Sequence, residues 1–285
     1  MEFVIGGDVF RSDFKWNTSL NLSFIKNNVD KLNGGTSSEA GTSRGIIEGS
    51  PIGCIYGFTV KKIAESQAEI DALNNAAAAN KNEFYSGLTT PGDYIYVDQN
   101  GDGFINEDDK SVIGDINPNC FGGWNNSLSY KNFNLACNFT FSKGAQKEWQ
   151  TISYLSQPDL YDNQDKVVLD TWSENNKDAT YARYGSGTHE GNAAPTSKSI
   201  FDASYFKLQT LALAYDFNGK KLKDLGLNSI RLSGTANNLF TITDYPGLDP
   251  QSSGLQHSTS ATSTSDDGYS YPNVRTFTFA VKLTF

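Results

Sequence analysis

The stretch RTFTFAVKLTF, residues 275–285, alternates apolar and polar side chains without a break. A β-strand places alternate residues on opposite faces, so one face would carry Phe277, Phe279, Val281, Leu283 and Phe285. The other face would carry Thr276, Thr278, Ala280, Lys282 and Thr284. A tilted strand of about 9–11 residues crosses a bilayer with its apolar face toward lipid and its polar face toward water. The stretch therefore predicts a transmembrane strand of an outer-membrane β-barrel.

Other segments repeat this alternation and bring the expected number of strands to about eight. They are Phe3–Phe10, Phe14–Phe24, Ile52–Val60, Gly123–Tyr130, Phe133–Phe141, Tyr205–Phe217 and Ile230–Phe240. The connection at residues 131–132 is short enough for a tight hairpin, whereas residues 143–202 and 241–273 are long and polar. Residues 62–83 have the composition of a helix within a third long connection. Short turns at one end and long loops at the other are typical of such barrels.

The composition agrees with an all-β membrane protein. Aromatic residues make up 13% of the 285 residues, with 18 Phe and 14 Tyr, which suits strands and interfacial girdles. No run of about 18 apolar residues predicts a transmembrane helix. The first eight residues, MEFVIGGD, do not resemble a signal peptide. We therefore expect the signal peptide of an exported protein to lie in an amino-terminal part that this chain lacks.

Several function classes are disfavoured by the residues present. The net charge of −9 argues against nucleic-acid binding. Cys54, Cys120 and Cys137 are odd in number and widely spaced, so they predict neither a disulfide framework nor a zinc site. His189 and His257 lack companions at metal spacing, and no nucleophile or phosphate motif occurs. The sequence therefore predicts that the protein is not an enzyme.

One segment, DQNGDGFINEDD at residues 98–109, matches the twelve-residue calcium loop. Oxygen ligands at positions 1, 3, 5, 7, 9 and 12 would come from Asp98, Asn100, Asp102, the Phe104 carbonyl, Asn106 and Asp109. Gly103 at position 6 permits the sharp turn, while Asp109 is one methylene shorter than the usual Glu. An ion-free turn rich in Asx residues is the alternative. We predict that bound calcium stiffens a long extracellular loop.

The long connections also carry Trp149, Trp172, Tyr181, Arg183 and Tyr184. Exposed aromatic side chains could stack on sugar rings, or they could pack the loops together or lie at the membrane interface. The sequence does not identify ligand-binding residues among them.

An ordered set of motifs across the whole chain resembles the carboxyl-terminal region of SusC/RagA TonB-dependent transporters. The motifs are GDVF (7–10), WNT (16–18), GSPIG (49–53), YG (56–57), GD (92–93), VIG (112–114), YKNF (130–133), ASYFKL (203–208), NNLFT (237–241), YPGLDP (245–250), YP (271–272) and RTF (275–277).

This resemblance implies a function and a set of partners. The family imports glycans or oligopeptides across the Bacteroidetes outer membrane, driven through the TonB complex, with a SusD/RagB-like surface lipoprotein as lid. The terminal strand resembles the signal read by the barrel-assembly machinery, carried here by Phe277, Phe279, Val281, Leu283 and Phe285. The resemblance further implies that residues 1–285 form the closing part of a 22-stranded barrel, with the plug domain absent.

Two other interpretations remain open at this stage. The chain could be an autonomous eight-stranded outer-membrane barrel that acts as a surface adhesin or ligand-binding protein. It could also be a secreted, carbohydrate-binding β-sandwich, whose apolar faces would be buried against each other.

Overall fold

The computed structural model describes residues 1–32, 37–38, 44–78, 90–149, 163–184, 196–251 and 271–285. The strands are β1 (Glu2–Arg11), β2 (Phe14–Phe24), β3 (Ser37–Ser38), β4 (Arg44–Ile46), β5 (Cys54–Gly57), β6 (Val60–Ile63), β7 (Tyr94–Tyr96), β8 (Ser111–Gly114), β9 (Cys120–Tyr130), β10 (Phe133–Lys143), β11 (Gln146–Glu148), β12 (Ile200–Asp202), β13 (Tyr205–Phe217), β14 (Ser229–Thr243) and β15 (Thr276–Thr284). The α-helices are α1 (Gln67–Ala78) and α2 (Lys220–Asp224), and short 3₁₀ helices cover Glu107–Asp109 and Lys166–Asp170.

The main element is a seven-stranded sheet with the order β1-β2-β9-β10-β13-β14-β15, in which neighbouring strands run antiparallel. Six of the predicted alternating segments and the terminal stretch all fall in this sheet, because each can cover one face with apolar residues. Strands β2 and β13 have the predicted bounds, and the others are extended or trimmed by a few residues.

The outer face of this sheet is apolar and exposed. Phe279 and Val281 on β15 are 86% and 67% exposed, and Phe3, Ile5 and Leu213 also lie largely open. A sheet in water would bury such residues, as the β-sandwich interpretation required. A face of this kind fits the lipid-exposed side of a barrel. The prediction of an all-β transmembrane barrel is confirmed, with the described sheet forming part of the barrel.

The opposite face is polar and its side chains bond to one another. Asn134 donates to Asp216 at 2.9 Å, and Arg231 lies 3.6 Å from the same carboxylate. Asn17 donates to Asp8 at 2.8 Å across β1 and β2. These contacts join side chains from adjacent strands. The polar face therefore carries cross-strand hydrogen bonds and ion pairs, as expected for the wall of a water-filled lumen.

A β-bulge interrupts the alternation in two neighbouring strands. The register shifts between Leu208 and Thr210 where β13 meets both β10 and β14, and Asn238 on β14 has a positive φ of 54°. Beyond the bulge, Phe206 and Leu208 lie on the same outer face as Leu211 despite their different sequence parity.

The interpretation of Ile52–Val60 as a barrel strand is wrong. These residues contribute to β5 and β6, which pair with β8 and β7 in small sheets of the long connection between β2 and β9. The consecutive residues Cys54 and Ile55 are both fully buried, and Phe58 is buried as well. A strand with buried residues on both faces belongs in a packed domain and not at a lipid surface. The predicted helix in residues 62–83 is confirmed as α1, and Tyr94–Tyr96 forms a strand before the acidic loop.

The connections differ strongly at the two ends of the sheet. At one end, β1–β2 and β9–β10 are joined by two-residue turns and β13–β14 by residues 218–228, which contain α2. At the other end lie the connections of residues 25–119, 144–204 and 244–275. Within the described ranges, no helix is long and apolar enough to cross a membrane.

Candidate ligand-binding face

The first two long connections pack against each other at one end of the sheet. Phe58 and Thr196 form a parallel bridge between them, and Ser197 donates its backbone N–H to the Phe58 carbonyl at 3.0 Å. The Val60 N–H donates to Ser197 Oγ at 3.0 Å. Because these bonds join residues over 130 positions apart in sequence, the two connections form one surface platform.

A buried ion pair fastens this platform, and we name Gly92, Asp93, Trp172 and Arg183 the loop clasp. Arg183 Nε lies 2.9 Å from Asp93 Oδ1, and the Asp93 side chain is 3% exposed. The second carboxylate oxygen of Asp93 accepts the Thr90 N–H at 2.9 Å. The Arg183 N–H donates to the Gly92 carbonyl at 2.7 Å. Gly92 has φ +93°, and a Cβ there would lie 2.8 Å from the Arg183 Cβ and closer still to the Trp172 ring, so only glycine fits.

Helix α1 supplies the apolar core of the first connection. Ala64, Ile70, Ala77 and Ile95 form a buried cluster, with Leu73 and Ile105 packed against it. Ile70 and Ala77 lie two helical turns apart on one face of α1. This apolar face of the helix packs against Ile95 of β7 and Ile105 of the acidic loop. This core fixes the loop at residues 98–109 from below.

The predicted calcium loop is held by hydrogen bonds from backbone N–H groups to its own side chains. Asp98 accepts the N–H groups of Gly101 at 2.6 Å and Gly103 at 2.9 Å. Asp109 is fully buried and accepts N–H groups from Gln99 and Asn106, both at 2.8 Å. The last loop position thereby ties both ends of the loop together, and the shorter Asp side chain suffices for this closure.

The donor set of this loop depends on more than carboxylates. Within the described residues, no group of three or more His, Cys, Asp and Glu side chains is arranged to hold a metal ion. Asn100 and Asn106 use their side-chain oxygens to accept N–H groups inside the loop, as Asp102 does. Calcium takes six to eight oxygens, so amide and carbonyl oxygens would have to complete its shell. The donor chemistry suits calcium, and its binding stays a prediction.

The aromatic residues singled out in the sequence are used mainly in packing. Trp149 is buried with Ala203 and Tyr245, and Trp172 is buried in the loop clasp. Tyr181 packs partly against the Trp149 cluster, whereas Tyr184 is 40% exposed. Packing of loops therefore accounts for both tryptophans. The two histidines, His189 and His257, lie outside the described residues.

Tyrosine hydroxyls in the platform are shielded from water. Burial raises the pKa of Tyr94 to about 12, although the hydroxyl bonds to the backbone of Ala182. Burial also raises the pKa of Tyr181, helped by the negative charges of Asp170 and Asp165. Neither phenol titrates near neutral pH, so both act as packed, neutral groups.

The third long connection is held by lysines that sequence reasoning did not single out. Lys207 on the lumen side of β13 is 2% exposed and donates to Gln251 at 2.6 Å. Lys147 is buried, donates to the Asp249 carbonyl at 3.4 Å and lies over the Tyr245 ring. Lys207 ties residues 245–251 to β13, and Lys147 ties them to the second long connection.

Two clefts open on the platform, and no sequence motif marked either. A cleft of about 540 Å³ has side-chain amides of Asn27, Asn28, Asn117 and Asn119 in its wall. A second cleft of about 350 Å³ is lined by residues 60–63, 65, 177–180 and 198, which come from both packed connections. Their linings are far apart in sequence, so only the packing of the platform reveals them.

The lipid-facing sheet, the polar lumen face and the one-sided platform define an outer-membrane β-barrel protein with its long connections packed at one end. No family model matches the chain. Similar proteins in Formosa agariphila are TonB-dependent receptor P3, 31% identical over 296 residues, and TonB-dependent receptor P26, 30% identical over 303 residues. TonB-dependent receptor SusC of Bacteroides thetaiotaomicron is 25% identical.

All three matches cover the whole of this chain, which spans 28%, 28% and 26% of the respective relatives. A solved structure of the RagAB peptide transporter matches with a TM-score of 0.74 at 19% identity, over 100% of this chain and 29% of that chain. The chain is therefore a homologue of SusC/RagA-type TonB-dependent receptors, as its motifs predicted, and its location is the outer membrane. These relatives are receptors and not enzymes.

Proposed function

We propose that this chain forms part of an importer that takes up glycans or oligopeptides through the outer membrane. Homology to TonB-dependent receptors supports import driven through TonB. The observation that carries the proposal is the packing of the long connections into a platform with two clefts above a polar lumen. Such a platform can hold a solute at the mouth of a pore, because pre-formed clefts bind without ordering costs.

The partners of such an importer follow from the same homology. A SusD/RagB-like surface lipoprotein would cover the platform, the TonB complex would supply energy, and the barrel-assembly machinery would insert the strands. Phe277, Phe279, Val281 and Leu283 lie on the outer face of β15, and Phe285 follows the strand and is exposed, so an assembly factor could read all five.

Uptake in cells tests the proposed function. Labelled maltopentaose and a mixed neutral pentapeptide would be offered to cells that make the full-length protein and to cells in which its gene is deleted. We expect uptake of one class to require the gene and to stop when a protonophore collapses the inner-membrane gradient. Equal uptake by both strains across a panel of glycans and peptides would contradict import. Co-purification of a surface lipoprotein from detergent extracts tests the partner separately.

We also propose that residues 98–109 bind calcium through Asp98, Asn100, Asp102, the Phe104 carbonyl, Asn106 and Asp109. The buried closure by Asp109 and the core beneath the loop support this proposal. Bound calcium would neutralise the acidic loop and stiffen this part of the platform.

Calorimetric titration of the purified protein with calcium tests this site. We expect Asp98→Asn to lower the affinity at least tenfold, because the first ligand position loses its charge. Asp108→Asn is the matched control, since its carboxylate is exposed and is not a ligand position. No calcium heat in the wild-type protein, or equal effects of both variants, would contradict the proposal.

A further inference from the structure

The smaller cleft carries a concentration of positive charge. Its lining includes Lys61, Lys62, Lys177 and Lys198 against only two carboxylates, Glu65 and Asp178. The chain as a whole has 32 acidic and 23 basic residues, whereas the lining of this cleft has more basic than acidic groups. Because Lys62 and Lys177 are paired with Glu69 and Glu174 just outside the lining, an anionic ligand would be attracted mainly by Lys61 and Lys198.

Two of the four lysines have no ion-pair partner among the residues that the structure describes. Lys62 lies 2.5 Å from Glu69 and 4.0 Å from Glu65, and Lys177 lies 3.5 Å from Glu174. Lys61 and Lys198, by contrast, form no ion pair within the described parts of the chain.

The backbone beneath these lysines is well held. Lys61 is the bulged residue of β6, and its neighbours Val60 and Lys62 pair with Tyr96 and Ile95 of β7. Lys198 lies in the turn closed by Ser199 N–H and the Thr196 carbonyl at 2.9 Å, and Thr196 itself bridges to Phe58. Both sides of the cleft are therefore fixed by the platform, and only the flexible lysine side chains would need to adjust to a ligand.

We propose that this lysine cleft binds carboxylate groups of an acidic oligomer that the importer takes up. This inference rests on the proposed function and adds a substrate class to it. A cavity of about 350 Å³ lies at the small end of ligand sites, so it would hold one charged part of the oligomer and not the whole chain. Lysine carries a compact charge without the fixed fork of arginine, which suits carboxylates at variable positions along an oligomer.

Direct binding to the full-length protein in detergent tests this proposal without any requirement for TonB. The probes are pentagalacturonate, pentaglutamate and neutral maltopentaose, each titrated calorimetrically at low and at high salt. The test variant is Lys61→Gln/Lys198→Gln. The control variant is Lys220→Gln/Lys223→Gln, which removes two exposed lysines at the opposite end of the sheet.

We expect at least one acidic probe to bind more tightly than maltopentaose and to weaken at high salt. The test variant should lower that affinity about 2- to 30-fold, from two exposed ion pairs, and the control variant should not. Lys61→Arg/Lys198→Arg should restore it, which separates charge from folding. Preference for one acidic probe assigns the carboxylate to a glycan or to a peptide, and binding of both leaves the carboxylate as the recognised group.

The proposal is overturned if neither acidic probe binds better than maltopentaose, or if test and control variants behave alike. Import could still stand in that case, because gene-dependent uptake is measured independently. Conversely, charge-dependent binding without uptake would support the cleft and overturn the proposed import.

Discussion

Removing Arg183 from the loop clasp should loosen the platform while leaving the barrel intact. In Arg183→Gln, Asp93 would keep the Thr90 N–H and lose its positive partner, although its side chain is 3% exposed. Breaking a fully buried pair from one side costs about 3–5 kcal/mol. The Arg183 side chain is 28% exposed, so water can partly replace the guanidinium. We therefore expect a local loss of about 2–3 kcal/mol.

Hydrogen exchange reads this loss directly at the clasp. The reporters are the Arg183 N–H on the Gly92 carbonyl, the Gly92 N–H on the Ala64 carbonyl and the Ala64 N–H on the Asp93 carbonyl. A loss of 2–3 kcal/mol in local opening accelerates exchange by about 30- to 150-fold. Amides in β10 and β13 should not change, because the barrel sheet does not depend on the clasp.

A matched control and a second variant decide the interpretation. Glu174→Gln breaks an ion pair in the same connection whose carboxylate side chain is 76% exposed, so we expect less than a fivefold change. Asp93→Asn/Arg183→Gln should recover part of the loss, since no buried charge is left alone. Acceleration below threefold in Arg183→Gln would refute the argument that the pair fastens the two connections.

Three further predictions concern other parts of the molecule. Gly122→Ala should destabilise the barrel by about 1–3 kcal/mol in urea unfolding, because its methyl would press on the Asn21 carbonyl, whereas Gly7→Ala meets open space and should be neutral. The pKa of Tyr94 is about 12 in the folded protein against an ordinary value of 10.0. The contribution of its neutral phenol to the free energy of unfolding is therefore complete below pH 10 and is lost as the pH rises toward 12. That loss is at most about 3 kcal/mol, and Tyr94→Phe should remove this part of the alkaline unfolding curve. Asn126→Ala should cost about 1–3 kcal/mol in the same urea assay, because the indole N–H of Trp16 on the apolar outer face of β2 would lose its acceptor.

The sequence predicted the barrel strands well because their pattern has a single physical cause. Each strand must show lipid one face and water the other, so β2 and β13 can be bounded from alternation alone. Alternation gave a wrong prediction for residues 52–60, because they contribute to the packed strands β5 and β6 and bury consecutive residues. The calcium-type loop was recognisable because its contacts are local, from Asp98 to Asp109. The lysine cleft was not, because Lys61 and Lys198 meet only through the pairing of distant connections.

The same contrast separates the positions that tolerate substitution from those that do not. Each position of the sheet faces lipid or the lumen and takes part in cross-strand pairing, so substitutions there lower the stability of the barrel. The platform is constrained at few points, chiefly the loop clasp, the Phe58 bridge and the α1 core. Residues between those points, including the free lysines of the cleft, can change without loss of packing. Substitutions should therefore be tolerated more readily in the cleft linings than at Asp93, Arg183 and Gly92, because the clasp joins the two connections.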